Sequence, residues 1–252
     1  MKSFDSIEME EMNLLMSPVI GHRGAASLAP ENTLAGIRKA AELGVSWIEL
    51  DVTLLGDGSA VMFHDHRLNR TTNGRGHLKR HSSETVGRLD AGSWFSEESS
   101  GEKVPSLAET LRLIQSLGLG LNLELKPNRC DLNRLVNEVV KELEVTDFDA
   151  DKLLVSSFNH KALVLFRARS SHRIGCLFEY LSGSWKHKAR QVGAVSIHLN
   201  GRKLTERKAR AVKESGYELY CYTVNARQDV ETLKGWGVDG VFSDCPQELM
   251  QA

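Results

Sequence analysis

Nine segments with strand periodicity, helical segments between most of them, and one turn too tight for a parallel crossover predict a (βα)8 barrel, or TIM barrel, with a small subdomain inserted after its second strand. Strands are expected near 18–22, 47–54, 60–64, 120–126, 152–157, 172–178, 194–199, 217–224 and 239–243. Helices are expected over 31–43, 106–117, 131–143, 160–169, 183–191, 204–214 and 227–235. Strands that alternate with helices form a parallel sheet with the helices outside it. A chain of 252 residues has the length one such barrel needs.

The first strand closes on Gly21-His22-Arg23-Gly24, a polar string where a buried strand end has no need of one. The second alternates Ile48, Leu50 and Val52 with Glu49 and Asp51, so acids face one side and aliphatics the other. Gly56-Asp57-Gly58 follows, and it leaves no room for a crossover helix. The segment 60–64 is therefore the return arm of a hairpin above the barrel mouth, which brings His64 and Asp65 back towards Glu49 and Asp51. This arm is the ninth strand and stands outside the eight of the barrel.

The stretch 66–104, rich in Gly, Ser, Thr and charge, is too long for a loop without structure and is expected to be the inserted subdomain, covering the mouth with Trp94 and Phe95 as an aromatic wall. In the next barrel strand Leu121, Leu123 and Leu125 share one face, and Asn122, Glu124 and Lys126 share the other. His198 points inward by alternation, either as a site residue or as a packed core histidine. Trp185 after a barrel strand is placed at the substrate mouth, and the helix bearing Arg202, Arg207 and Arg210 reads as a solvated outer face. The string Gly44-Val45-Ser46-Trp47-Ile48-Glu49-Leu50-Asp51 is echoed by Gly237-Val238-Asp239-Gly240-Val241-Phe242-Ser243-Asp244, each Gly standing where a helix cap is expected.

Residues 1–17 carry Asp5, Glu8, Glu10 and Glu11 without the basic start or apolar centre of a signal peptide, and read as a flexible extension before a barrel domain at 18–252, with Met12 or Met16 as alternative starts. A formal net charge of −1 argues against a nucleic-acid partner. No apolar run approaches the roughly 18 residues of a membrane span, so no integral membrane association is expected. Cys130, Cys176, Cys221 and Cys245 lack the paired spacing of zinc sites and read as reduced thiols of a cytoplasmic protein. The expected partner is a small molecule, and the chain itself a monomer or homodimer.

Glu49, Asp51 and Glu124 bring three carboxylates to one interior, where like charges need a counter-cation. Oxygen donors without Cys favour a hard divalent ion, Mg²⁺ or Ca²⁺. The alternative is that the acids pair with Arg23 and Lys126 as buried ion pairs. His22 and His64 come from different segments onto the same mouth, and each can donate or accept a proton near neutrality. Arg23 and Lys126 supply a planar guanidinium and an ammonium suited to phosphate oxygens. A metal, two histidines and two cations together describe a phosphate-ester site.

On these residues the chain resembles the glycerophosphodiester phosphodiesterases, particularly the short bacterial cytosolic ones. The resemblance runs in order through Ile20-Gly21-His22-Arg23-Gly24, Pro30-Glu31-Asn32-Thr33, Glu49-Leu50-Asp51-Val52, Phe63-His64-Asp65, Asn122-Leu123-Glu124-Leu125-Lys126, Ser156-Ser157-Phe158, Tyr222-Thr223-Val224-Asn225 and Gly237 to Pro246. It implies a (βα)8 barrel with an insertion after the second strand. It also implies metal ligands at Glu49, Asp51 and Glu124, acid-base histidines at His22 and His64, and phosphate contacts at Arg23 and Lys126. Tyr222 stands where relatives commonly have Trp and Ser243 where Thr is frequent, departures that bear on the leaving-group pocket.

The reaction implied is metal-assisted cleavage of a glycerol-3-phosphate diester to glycerol 3-phosphate and an alcohol, by water or through the substrate's own 2-hydroxyl and a cyclic phosphate. Lipid and glycerol metabolism is the setting it implies. A lysophospholipase D or sphingomyelinase D-like enzyme would use the same core on a lipid tail, but no strongly amphipathic insertion is present to meet a membrane. A Mg²⁺-dependent enolising barrel would use Lys126 as base and leave the histidine pair without a task. A barrel that only binds a phosphorylated ligand would not need acids, bases and anion grips together.

Overall fold

The computed structural model describes residues 16–250. Eight parallel strands, β1 (Val19–His22), β2 (Trp47–Leu54), β4 (Gly120–Leu125), β5 (Leu153–Ser157), β6 (Arg173–Phe178), β7 (Ser196–Asn200), β8 (Glu218–Tyr222) and β9 (Gly240–Ser243), follow one another around a ring. The ring closes because β1 pairs with both β2, at Gly21 to Ile48, and β9, at Ile20 to Phe242. The protein is thus a (βα)8 barrel. The extra strand β3 (Ala60–Met62) lies antiparallel on β2, with Val52 opposite Met62, which is the hairpin arm that Gly56-Asp57-Gly58 implies.

Helices α1 (Leu34–Glu42), α3 (Leu107–Ser116), α4 (Leu132–Val145), α5 (His160–Arg167), α6 (Trp185–Gln191), α7 (Glu206–Lys213) and α8 (Arg227–Gly235) correspond to the seven expected from periodicity. Two short ones, α2 (Ser83–Gly87) and α9 (Pro246–Met250), were not legible, because a five-residue helix has too few turns to show a period. Helix α1 begins three residues later than expected: Asn32 adopts a positive φ of 56°, and the Thr33 side chain caps the helix by accepting from the Gly36 N–H at 3.1 Å. The outward residues Ile48, Leu50, Leu121, Leu123 and Leu125 are wholly buried against Ile37, Leu111, Ile114, Leu135 and Val139 of the helices. Each such side chain contributes about 1.5–3 kcal/mol.

Inside the barrel Met16, Ile20, Leu154, Tyr220 and Phe242 form a separate packed group. His198 joins it as a core residue, wholly buried, with Nε2 2.9 Å from Ser196 Oγ and its ring 5.1 Å from that of Phe242. Burial pushes its pKa down to about 3, so it stays neutral. Trp185 likewise packs in the core, edge-on to Tyr217 at 5.7 Å, and not at a substrate mouth. Of the extension expected over 1–17, residues 1–15, and Met12 with them, lie outside the described residues. Met16 is buried and its N–H donates to the Tyr220 hydroxyl at 3.1 Å.

The insertion has its own small core: Leu68, Leu78, Val86, Ala91 and Val104 pack with Leu55, Val61 and Phe63 of the hairpin. Asp90 gathers the loop at 90–101 by accepting from the N–H groups of Gly92, Ser93 and Gly101. Trp94 donates to the Ala91 carbonyl at 2.8 Å and packs edge-on to Phe95, so its hydrogen bond serves the insertion itself. Leu68→Ala is expected to cost about 2–5 kcal/mol within this core. Hydrogen exchange should then show lost protection across 66–104 while β4 to β7 keep theirs; equal loss in both would show that the insertion does not pack as a separate unit.

Candidate active site

The turn after β1 sets the first part of the site. Arg23 has a positive φ of 52° and Gly24 one of 94°, and a Cβ on Gly24 would lie 2.8 Å from the Gly36 carbonyl carbon. Only glycine fits there. The turn aims the Arg23 N–H at Glu49 Oε2, 3.1 Å away, and brings its guanidinium Nε within 3.4 Å of Asp51 Oδ2.

Glu49 and Asp51 on β2 and Glu124 on β4 converge as alternation requires, with ligand oxygens all within 4.8 Å of one another. Asp51 is braced by Asn32, which donates through Nδ2 to Oδ2 at 2.8 Å and accepts the Asp51 N–H at 2.9 Å. Lys126 Nζ stands 2.8 Å from Glu124 Oε1 and 3.4 Å from Asp51 Oδ1. The ion pairs expected as an alternative are thus present for Asp51 and Glu124. They leave Glu49 out: its Oε1 is buried without a hydrogen-bond partner, and its Oε2 has His22 Nε2 3.7 Å away.

The electrostatics follow. Burial, with the charges of Asp51 and Glu124 added, drives Glu49 well above the usual carboxylate range. Burial pushes Glu124 up to about 7 against the pull of Lys126. Burial would raise Asp51 too, but Lys126 and Arg23 outweigh it and hold the group at about 2. Three buried carboxylates with two cations between them, one oxygen unpartnered and no soft donor, fit a hard divalent cation.

A proton on Glu124 competes with such an ion. As pH falls below about 7, affinity for Mg²⁺ is expected to weaken by about tenfold per pH unit for each proton displaced, and binding at neutrality to release protons. The sign for the metal-free fold is the opposite: a folded pKa above the unfolded one makes its contribution fullest below about 4.3 and lost as pH rises through about 7. Calorimetric titration in buffers of different ionisation heat would check this, and an affinity flat from pH 6 to 8 would contradict it.

The two histidines are held alike. Asp244, just past β9, takes His22 Nδ1 at 2.7 Å, and Asp65 takes His64 Nδ1 at 2.7 Å. In each ring it is Nδ1 that meets the aspartate, with Nε2 on the other edge. Asn225 fixes Asp244 by donating to Oδ2 at 3.0 Å, and burial holds the His64 pKa below its ordinary value. Both histidines, Arg23, Glu49, Glu124 and Lys126 line one pocket of ≈ 190 Å³, whose apolar wall is Phe158, Leu177, Tyr222 and Phe242. Asp51 lies beneath, behind Lys126 and Arg23.

All seven residues singled out in the sequence therefore meet at one place. The aromatic side of the pocket is Phe158 with Tyr222, packed edge-on at 5.5 Å, where Trp94 and Phe95 had been expected. Asp244 was missed as a partner of His22, although the echo between 44–51 and 237–244 sets it in register with Asp51. Glu31 lies in the Pro30-Glu31-Asn32-Thr33 string, but nothing local in the sequence marks Arg70, with which it pairs at 2.6 Å.

Residues 22–248 match the model of the glycerophosphoryl diester phosphodiesterase family. A glycerophosphodiester phosphodiesterase of Caldanaerobacter subterraneus is 35% identical over 234 residues, covering 92% of this chain and 96% of its own. One from Bacillus altitudinis is 31% identical over 240 residues, covering 94% and 98%. Among solved structures, a phosphodiesterase from Oleispira antarctica in complex with the product sn-glycerol-3-phosphate superposes with a TM-score of 0.90 at 35% identity, covering 93% of this chain and 95% of that one.

Proposed function

Because the chain belongs to the glycerophosphoryl diester phosphodiesterase family and is a phosphoric diester hydrolase, we propose that it cleaves glycerophosphodiesters to sn-glycerol 3-phosphate and an alcohol, using a divalent ion and the histidine pair. The observation that carries this reading is the convergence of His22 and His64, each with Nδ1 on an aspartate, over the cluster of Glu49, Asp51 and Glu124. Those three carboxylates would hold Mg²⁺ or Ca²⁺, which when bound neutralises phosphoryl oxygens.

Arg23 and Lys126 grip the remaining phosphate oxygens, the guanidinium by its two parallel N–H groups and the ammonium as a point charge. One histidine takes the proton of the attacking hydroxyl as its oxygen bonds to phosphorus. The other gives a proton to the departing alkoxide as its bond to phosphorus breaks. The attacking group we favour is the glycerol 2-hydroxyl, which closes a five-membered cyclic phosphate that water then opens.

The pocket of ≈ 190 Å³ has room for a glycerol phosphate, the substrate we favour over those of the lysophospholipase D and sphingomyelinase D-like readings. Lys126, kept protonated by Asp51 and Glu124 despite its burial, is unsuited to act as the base of an enolising barrel. No helix among the described residues is long and apolar enough to cross a membrane, and the four free thiols fit the reducing cytoplasm.

The test is to incubate the protein with glycerophosphocholine and glycerophosphoethanolamine in the presence of Mg²⁺ or Ca²⁺ and to assay glycerol 3-phosphate and the free alcohol. Formation of both supports the reading. Release of a phosphorylated head group with free glycerol would place the cut on the other side of phosphorus and sink it.

A further inference from the structure

Arg70 opens the insertion and is partly exposed, yet its guanidinium makes four hydrogen bonds to two carboxylates. Nη1 and Nη2 donate to Glu31 Oε2 and Oε1 at 2.6 and 2.8 Å. Nε and Nη2 donate to Asp65 Oδ2 and Oδ1 at 2.8 and 3.1 Å. Each carboxylate has a second partner inside the site. Glu31 Oε1 also accepts from Arg23 Nη1 at 2.8 Å, and Asp65 Oδ1 holds His64 Nδ1 at 2.7 Å. One side chain thus ties the arginine that grips phosphate to a histidine that moves protons.

Stability does not account for this arrangement, because ion pairs as open to solvent as Arg70 usually contribute little. Nor does it hold the backbone: Asn128 does that, donating through Nδ2 to the carbonyls of His64 and Asp65 at 3.1 and 3.2 Å. What four bonds from one planar fork determine is direction. Remove them, and the Asp65 carboxylate keeps only the ring it is meant to orient, while Glu31 keeps only Arg23.

We propose that Arg70 is a positioning residue: by clamping Glu31 and Asp65 against each other it fixes the orientation of Arg23 and the tautomer and direction of the His64 ring. The insertion thereby acts on the reaction without supplying any of the residues that line the pocket. The inference rests on the roles given above to Arg23 and His64.

The full-length protein carrying Arg70→Gln or Arg70→Lys tests it. In Arg70→Gln, kcat per folded molecule is expected to fall by about 10²-fold, the effect of misplacing reacting groups by about an ångström, with a smaller rise in KM. Arg70→Lys should recover little of that loss, since an ammonium restores the charge but cannot span two carboxylates. The second readout is independent of turnover: ¹⁵N shifts of the His64 ring should report the Nδ1–H tautomer in the parent and a mixture in Arg70→Gln, with the His22 ring unchanged. If Arg70→Gln does not fold, Arg70→Lys, which keeps the charge, decides the matter by both readouts. Parent-like kcat in Arg70→Lys, unchanged His64 ring shifts, or a loss of activity that matches the loss of folded protein would each overturn the proposal. A parent protein inactive on glycerophosphodiesters would instead sink the proposed function and leave the ring measurement standing.

Discussion

Treatment with a strong chelator is expected to lower hydrolysis of glycerophosphocholine by about 10³-fold or more, and Mg²⁺ or Ca²⁺ to restore it. The magnitude comes from what is left behind. Without a divalent ion, the anionic phosphate must approach Asp51, which stays ionised near pH 7, and two further carboxylates that burial holds partly protonated. Only Arg23 and Lys126 then oppose that repulsion, and both are already paired within the site. Glu49→Gln and Glu124→Gln should weaken metal affinity while the melting temperature of the metal-free protein stays the same or rises, because a buried like charge is removed. Turnover at the parent rate by rigorously metal-free protein would contradict the assignment, as would parent-like metal affinity in both variants.

Loss of either histidine is the second large effect. His22→Ala and His64→Ala should each lower kcat by roughly 10²–10⁴, the range for removing one proton-transfer partner, with metal affinity nearly intact. The aspartates give a finer test. Asp244→Asn would leave His22 in place but replace the carboxylate at its Nδ1, and should lower kcat less than His22→Ala does. The double histidine variant should lose less than the product of the single losses, since the pair acts as a unit. A single variant within a few-fold of the parent would remove that histidine from the mechanism.

How legible the site was depended on how each residue reaches it. Glu49, Asp51, Glu124 and Lys126 sit on or just after strands whose alternation gives their direction, so period alone placed them in one interior. His64 was legible because the turn at Gly56-Asp57-Gly58 forces a hairpin, and β3 does pair with β2. The limits of α1 and the fold of the insertion were not, because they depend on a positive φ at Asn32 and on hydrogen bonds gathered by Asp90, neither of which leaves a period. Trp94 was misplaced for a related reason: a large exposed aromatic in an insertion resembles a substrate wall until its partners, Ala91 and Phe95, are known. Arg70 was invisible because its role lies in joining Glu31 to Asp65 across the mouth, and sequence spacing carries no trace of that.

The bond between His22 and Asp244 joins residues 222 positions apart, one at the end of the first strand of the ring and the other just past the last. His64 and Asp65, by contrast, are neighbours in the chain and meet as soon as the hairpin forms. The two halves of the proposed acid-base pair are therefore expected to mature at different stages of folding. Contacts between distant parts of a chain form slowly, because a long loop must close first. Recovery of full activity during refolding is thus expected to report the seam between β1 and β9. A chain cut between α5 and α6 is expected to be silent as separate pieces, since His22 and Asp244 then lie on different ones, and active only once both seams of the ring are rejoined, making turnover itself a readout of ring closure.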